Sequence, residues 1–251
     1  MDLVMPRMDG CIVRPTVGLT IESAMSRTLN PTTYAVRREA FLDVAERLIR
    51  TRGYDQTSIQ DILDELEASK GAFYHYFDSK EALLEAVVAR MTDAAMEVIE
   101  PIAADPCLRA AAKLQAVFST AGRWKAERSD LLLAFTRSWY AGDNDLVRLR
   151  VARAGAARIT PLIASIVRQG AAEGVFSPTS PDHAAAILMA LLNGSSDAIG
   201  RLILDRQDGR VAFEEAERFV AAYEEAIERI LGLPAGTFEL IDDHSVHVWF
   251  A

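Results

Sequence analysis

The sequence predicts an all-α protein: a small three-helix head followed by a larger helical bundle. After residue 33, apolar side chains recur at three- and four-residue spacing in almost every segment. Strand-like alternation of β-branched residues is nearly absent. The periodic segments are separated by short punctuation such as "GDND", "EGVFSPTSPD" and "RQDGR".

The first helix lies in "TTYAVRREAFLDVAERLIRTRGY", with Val36, Ala40, Phe41, Val44, Ala45, Leu48 and Ile49 on one face. Thr32 or Thr33 can cap its start and Gly53 ends it. Thr57 or Ser58 can cap a short helix carrying Ile59, Ile62, Leu63 and Leu66. A turn follows at Leu66–Ala68, and Ser69 opens a second short helix. Ser79 caps a long one with Leu83, Leu84, Val87, Val88 and Met91. Further helices are expected near 106–127, 130–140, 144–173, 182–205 and 211–231. The domains read as an extension over 1–33, a head over 34–80, a bundle over 81–231 and a tail over 232–251. No internal repeat or low-complexity tract interrupts them.

Composition excludes several classes of function. No apolar run approaches the roughly 18 residues that cross a bilayer; the longest, "AAAILMALL" at 184–192, stops at Asn193 and Gly194. Arg14 and Pro15 break the apolar order a signal peptide needs. Cys11 and Cys107 give neither a disulfide framework nor a metal spacing. A reduced, cytoplasmic protein without a membrane partner is expected. His244 and His247, with Asp242 and Asp243, form an H-x-x-H without a defined helix, so no metal or other cofactor is expected. No nucleophile motif, Gly-rich phosphate loop or zinc-hydrolase helix is present, so the chain is not read as an enzyme. Net charge is −9, which disfavours nucleic acid as a partner unless one face is locally basic.

The stretch "SKGAFYHYF", residues 69–77, bears on that question. Between Thr57 and Phe77 lie a short helix, a turn and a second short helix, the length and order of a helix-turn-helix. Ile59, Ile62, Leu63, Ala68, Phe73 and Phe77 would pack this unit against the first helix. Lys70, Gly71, Ala72, Tyr74, His75 and Tyr76 are left for the other side. Three helix starts, at Thr57 or Ser58, at Ser69 with Lys70 and at Ser79 with Lys80, would suit phosphate oxygens. Gly71 and Ala72 lack bulk, so base edges could come close. The plain alternative is that the aromatics are only core, and residues 34–90 hold more Asp and Glu than Lys and Arg.

"RREAFLDVAERLIRTRGYDQTSIQDILDELEASKGAFYHYFDSKEALLEAVV" resembles, without a gap, the N-terminal DNA-binding domain of TetR-family transcriptional regulators. The pairing of S-K-G-x-F-Y-x-Y-F with S-K-E-x-L-L carries the resemblance. It implies that Thr57 or Ser58, Lys70, Tyr74, Tyr76 and Lys80 contact the phosphates of a double-stranded operator. It places Ser69, Gly71, Ala72 and His75 at or near base edges. Two residues depart from the family pattern: Glu67 stands where the turn usually has Gly, and Leu63 where the second helix usually has Ala. A turn residue with positive φ costs a side chain roughly a kilocalorie.

The C-terminal part, "ITPLIASIVRQGAAEGVFSPTSPDHAAAILMALLNGSSDAIGRLIL", resembles the family more loosely. The resemblance implies a homodimer joined by the last two long helices. Ile187, Leu191, Gly194, Ala198 and Leu202 form one candidate stripe; Val220, Tyr223 and Ile227 form another. The plain alternative is that both stripes face the chain's own core. It also implies a pocket for a small-molecule effector, for which Phe118, Trp124, Phe135, Trp139 and Tyr140 are candidates, with Arg137, Ser138 and Asn193 as polar groups. These rings too could be core. Repression relieved by the effector is the expected mode, with a helical ligand-binding or interaction protein that has lost DNA binding as the rival. "DLVMPRMDG" at 2–10 looks like a phospho-acceptor segment, but the chain a receiver domain needs around it is missing. Residues 1–24 read as an extension ahead of a family-like start at Met25.

Overall fold

The computed structural model describes residues 31–141 and 145–250. Among these, ten α-helices follow one another without a strand: α1 (Pro31–Arg52), α2 (Ile59–Glu65), α3 (Lys70–Tyr76), α4 (Lys80–Ala104), α5 (Ala110–Ala126), α6 (Ser129–Ala141), α7 (Asp145–Ala172), α8 (Pro181–Gln207), α9 (Phe213–Leu231) and α10 (Asp243–Phe250). The stretch at 2–10 and the start at Met25 lie outside the described residues. Helix α1 begins at Pro31, inside the span assigned to the extension; a proline suits a first turn, where its missing N–H is no loss.

The head packs α1 to α3 and the start of α4 around Phe41, Leu42, Leu48, Ile62, Phe73 and Phe77. Phe73 and Phe77 lie 5.8 and 6.1 Å from the Phe41 ring centroid, both edge-on. Val36 is not part of this seam, contrary to expectation; it is 64% exposed, because the first turns of α1 project beyond the core. The same apolar cluster continues into Leu131 and Phe135 of α6 and Val147 of α7, so head and bundle share one core. Arg90 of α4 adds a polar clamp, donating to Glu39, Asp43 and Glu46 of α1 at 3.1, 2.6 and 2.6 Å.

A second cluster joins the far half of α4 to α5, α7, α8 and α9 through Met96, Leu114, Ile163, Val167, Leu188 and Ile227. The "EGVF" break after α7 folds Phe176 back onto Gly170, where an added Cβ would meet the ring at 2.0 Å. The segment after α9 is packed rather than trailing. Glu228 accepts the N–H groups of Thr237 and Phe238 at 2.7 and 2.9 Å, and Glu224 that of Leu240 at 2.7 Å. Helix α10 follows and buries Phe250 to 1% exposure. Sequence periodicity missed this helix because "DHSVHVWF" is short and rich in β-branched and aromatic residues, which are weak helix formers.

Helix α8 corrects a second expectation. Its small and apolar residues, averaged over an 18-residue window, make it long and apolar enough by composition to cross a membrane, even though Asn193 and Gly194 interrupt the run. Only 24% of that window is fully buried within the chain, and Ile187 stands 56% exposed on it.

Candidate nucleic-acid interface and effector region

Each helix of the head's second half starts on a serine. Ser58 caps α2 by accepting the Asp61 N–H at 3.1 Å, while its own N–H donates to Asp61 Oδ2 at 2.7 Å. Ser69 caps α3 by accepting from Ala72 at 3.2 Å, and Ser79 caps α4 by accepting from Ala82 at 3.1 Å. The α2 start is thus filled by its own carboxylate. Hydrogen bonds from the Ser58 hydroxyl and N–H hold Asp61 below the usual carboxylate range. A phosphate approaching this end meets a fixed negative charge.

The ten residues expected at DNA divide into three groups. Ser58, Ser69, Lys70, Gly71, Tyr74 and His75 are exposed, with Tyr74 at 54%. Ala72 and Tyr76 are half-buried at the edge of the core, and Tyr76 packs at a tilt against Phe41 and Tyr34, with ring centroids 5.6 and 4.7 Å away. Thr57 is a correction. It is 1% exposed and its hydroxyl donates to the Gly53 carbonyl at 2.8 Å, so the helix-closing turn has already taken its donor. Lys80 is partly committed as well. Its ammonium donates to the Tyr54 carbonyl at 2.6 Å and lies 4.0 Å from the centre of that ring. Burial lowers its pKa. Tyr34 of α1, which sequence reasoning did not single out, lies edge-on to His75 at 5.6 Å and buttresses the aromatic end of α3. Only its place in the first turn of α1, three residues after Pro31, hinted at this.

The α2–α3 turn has the geometry the departure at Glu67 called for. Glu67 has φ 47°, the one positive value at a non-glycine residue among the described residues. Ala68 donates back to the Leu63 carbonyl at 2.9 Å and Glu67 to that of Asp64 at 3.4 Å. That pair of bonds closes a helix through a left-handed residue, a place where Gly is the usual choice. Leu63 is 2% exposed and sits inside the shared core.

The effector candidates are not gathered around one cavity. Phe135 (1% exposed) and Trp139 stack at 6.1 Å within the shared core, which Trp124 also joins, whereas Phe118 packs edge-on to Phe238 at 5.3 Å in the second cluster. The intervening helical turns direct them into different cores. Tyr140 donates to Asp197 Oδ1 at 2.6 Å, with Arg201 4.8 Å from its ring, and burial together with that bond pushes its pKa up to about 12. Asn193 is exposed. Arg137 and Ser138 line a cleft between the head and α6. Trp139 Nε1 is buried without a hydrogen-bond partner.

The candidate dimer residues also divide. Val220 and Ile227, 5% and 0% exposed, are taken by the chain's own packing and cannot form a seam with another copy. Leu191, Ala198, Leu202 and Tyr223 are half-buried. Ile187, 56% exposed, and Gly194, with nothing near its missing side chain, stand open on α8.

Fold and site define an all-α protein with a helix-turn-helix head coupled to a helical bundle. Residues 41–87 match the family of bacterial regulatory proteins, tetR family. An uncharacterized HTH-type transcriptional regulator of Lactococcus lactis is 51% identical over 51 residues, covering 20% of this chain and 26% of the relative. The HTH-type transcriptional repressor NemR of Escherichia coli is 42% identical over 53 residues, covering 21% and 27%. The chain thus spans about a quarter of the length of these curated relatives. Beyond the head the likeness is one of fold: a transcriptional regulator of Cytophaga hutchinsonii superposes with TM-score 0.55 at 18% identity, over 77% of this chain and 96% of that one.

Proposed function

We propose that the chain is a homodimeric, cytoplasmic DNA-binding transcriptional regulator, a repressor that releases a palindromic operator when a small molecule binds its bundle. One observation carries this reading: Lys70, Gly71, Tyr74 and His75 of α3 are exposed while Phe73 of the same helix is buried, within a head that matches the tetR family. Lysine and tyrosine supply donors to phosphate, and a glycine lets the helix approach base edges.

Two further features support the finer parts. The shared core couples the head to α6 and α7, and α4 runs through both clusters, as a ligand-driven release requires. Trp139 Nε1 is a buried donor that an effector could engage. The open face of α8 suits a second copy, because Ile187 and Gly194 offer an apolar surface that allows close helix approach, and Asp197 and Arg201 beside it disfavour lipid. Two heads on one dimer would then read two half-sites.

Binding of the full chain to the DNA flanking its own gene, at two salt concentrations, tests the reading. Lys70→Ala should lose most operator affinity and lower the salt slope by about one unit. The carboxylates of Asp61 and Glu67 beside α3 favour a second reading, a helical interaction protein whose head no longer binds DNA. If the folded wild-type dimer binds no DNA above the non-specific level, that second reading replaces the first.

A further inference from the structure

The geometry points to a small-molecule site at the junction of head and bundle, distinct from the bundle interior, for an organic acid that also carries a hydrogen-bond donor. A cleft of about 690 Å³ opens there. One wall is the end of α1 and the turn after it, with Arg50, Arg52, Tyr54 and Asp55; the other is α6, with Asp130 and Arg137. The volume lies within the roughly 300–1,000 Å³ typical of small-molecule sites.

The wall on α6 is set by helical spacing. Asp130, Leu133, Ala134 and Arg137 fall at i, i+3, i+4 and i+7, so one face presents a carboxylate, an apolar strip and a guanidinium in order. Arg137 is oriented by the neutral amide of Gln207 at 2.7 Å, a bond that leaves its charge uncancelled. Opposite it, Arg52 is drawn toward Asp61 at 3.6 Å, while Arg50 remains exposed on the rim.

Tyr54 supplies an independent observation. It is 4% exposed, and its hydroxyl is buried without a hydrogen-bond partner. Buried polar groups are normally paired, and burial pushes this phenol's pKa up, so it stays a donor at every physiological pH. The arginines suit a carboxylate, and the Tyr54 hydroxyl, enclosed behind the cleft wall, becomes its donor once the bound acid opens that wall. Asp55 and Asp130 suit donors on the same molecule, and the Leu133–Ala134 strip suits an apolar body. The two carboxylates also argue against a polyanion such as a DNA flank.

The test is calorimetric titration of the full chain without DNA, in low-chloride buffer, with 4-hydroxybenzoate as probe. One site per chain is expected. Removing the probe's carboxylate (phenol) or replacing Arg50 and Arg137 together by Gln should weaken binding tenfold or more. Tyr54→Phe, which removes only the hydroxyl, should weaken it several-fold while leaving the unfolding transition in place. Phenol binding as tightly as 4-hydroxybenzoate, unchanged binding by the double variant, or no heat at millimolar probe would each overturn the proposal. So would a double variant altered only in the salt dependence of DNA binding, which would make the arginines a DNA contact. Because no DNA is present, probe binding is independent of whether the head reads an operator; only its consequence for release rests on the regulator reading.

Discussion

Replacing Glu67 by glycine separates backbone strain from charge at the turn that aims α3. The residue sits at φ 47°, closing α2 through the bonds of Ala68 to Leu63 and of Glu67 to Asp64. A left-handed conformation costs a residue with a Cβ about 1–2 kcal/mol. Glycine removes that cost but returns about 0.5–1 kcal/mol through the greater freedom of the unfolded chain. The net expectation for Glu67→Gly is a gain of roughly 0.5–1 kcal/mol, with a rise in Tm of about 2–4 °C per kcal/mol for a chain of this size. Glu67→Gln removes the same charge and keeps the strained backbone, so it should stay within about 0.5 kcal/mol of wild type. Urea unfolding of the three proteins decides the matter, and a glycine variant no more stable than the glutamine variant would refute the strain argument. Operator affinity reads the other half. Both variants lose a negative charge beside the exposed side of α3 and, on the proposed reading, should tighten by similar factors. A gain confined to glycine would mean that the angle of α3, not its electrostatics, limits binding.

Three other variants probe the remaining parts. Arg90→Ala breaks bonds to Glu39, Asp43 and Glu46 around a guanidinium only 27% exposed; a loss of about 1–2 kcal/mol in urea unfolding is expected. Burial raises the pKa of Glu224, and Glu228 and Glu239 add to it, although the Leu240 N–H opposes the shift. A raised folded-state pKa gives stability that is fully present below the unfolded value and lost as pH rises through the folded one. Glu224→Gln keeps an acceptor for Leu240 and removes the charge, so its Tm should exceed wild type at pH 7, with the gap closing below pH about 4.5. Ile187→Asp puts a charge on the open face of α8 and should shift sedimentation toward monomer; an unchanged species would place any dimer interface elsewhere.

The head was legible because its signals are local and mutually consistent. Serines at 58, 69 and 79 cap three helices, Phe73 and Phe77 fall inward where spacing puts them, and Glu67 adopts the left-handed turn its position demands. Thr57 shows where local reading stops. Thr57 and Ser58 look alike as helix caps in sequence, and only the return of the chain to Gly53 decides which hydroxyl is consumed. In the bundle the same limit is wider. An apolar stripe records that a face is covered but not by what, so the α9 stripe, with Val220 and Ile227 taken by its own core, and the α8 stripe, with Ile187 and Gly194 exposed, could not be told apart. Aromatic content was a poor guide to a cavity for the same reason: Phe135 and Phe118 fill separate cores, whereas the cleft is lined by two segments distant in sequence with a single aromatic, Tyr54, between them.

That cleft and the shared core meet on one helix. Leu131 and Phe135 of α6 are buried among head residues, while Asp130, Leu133, Ala134 and Arg137 of the same helix face the cleft. A close-packed core moves between discrete arrangements rather than yielding continuously. A ligand on either side of α6 therefore acts on the head through this helix by favouring one placement of Leu131 and Phe135 against α1 and α4 over another. Its effect on DNA is bounded by its difference in affinity for the two placements, and moving the population from mostly bound to mostly free takes about 5.5 kcal/mol of that difference. One modest ligand falls short of this figure. Two sites that bias the same helix, one in the bundle and one at the junction, could reach it by addition.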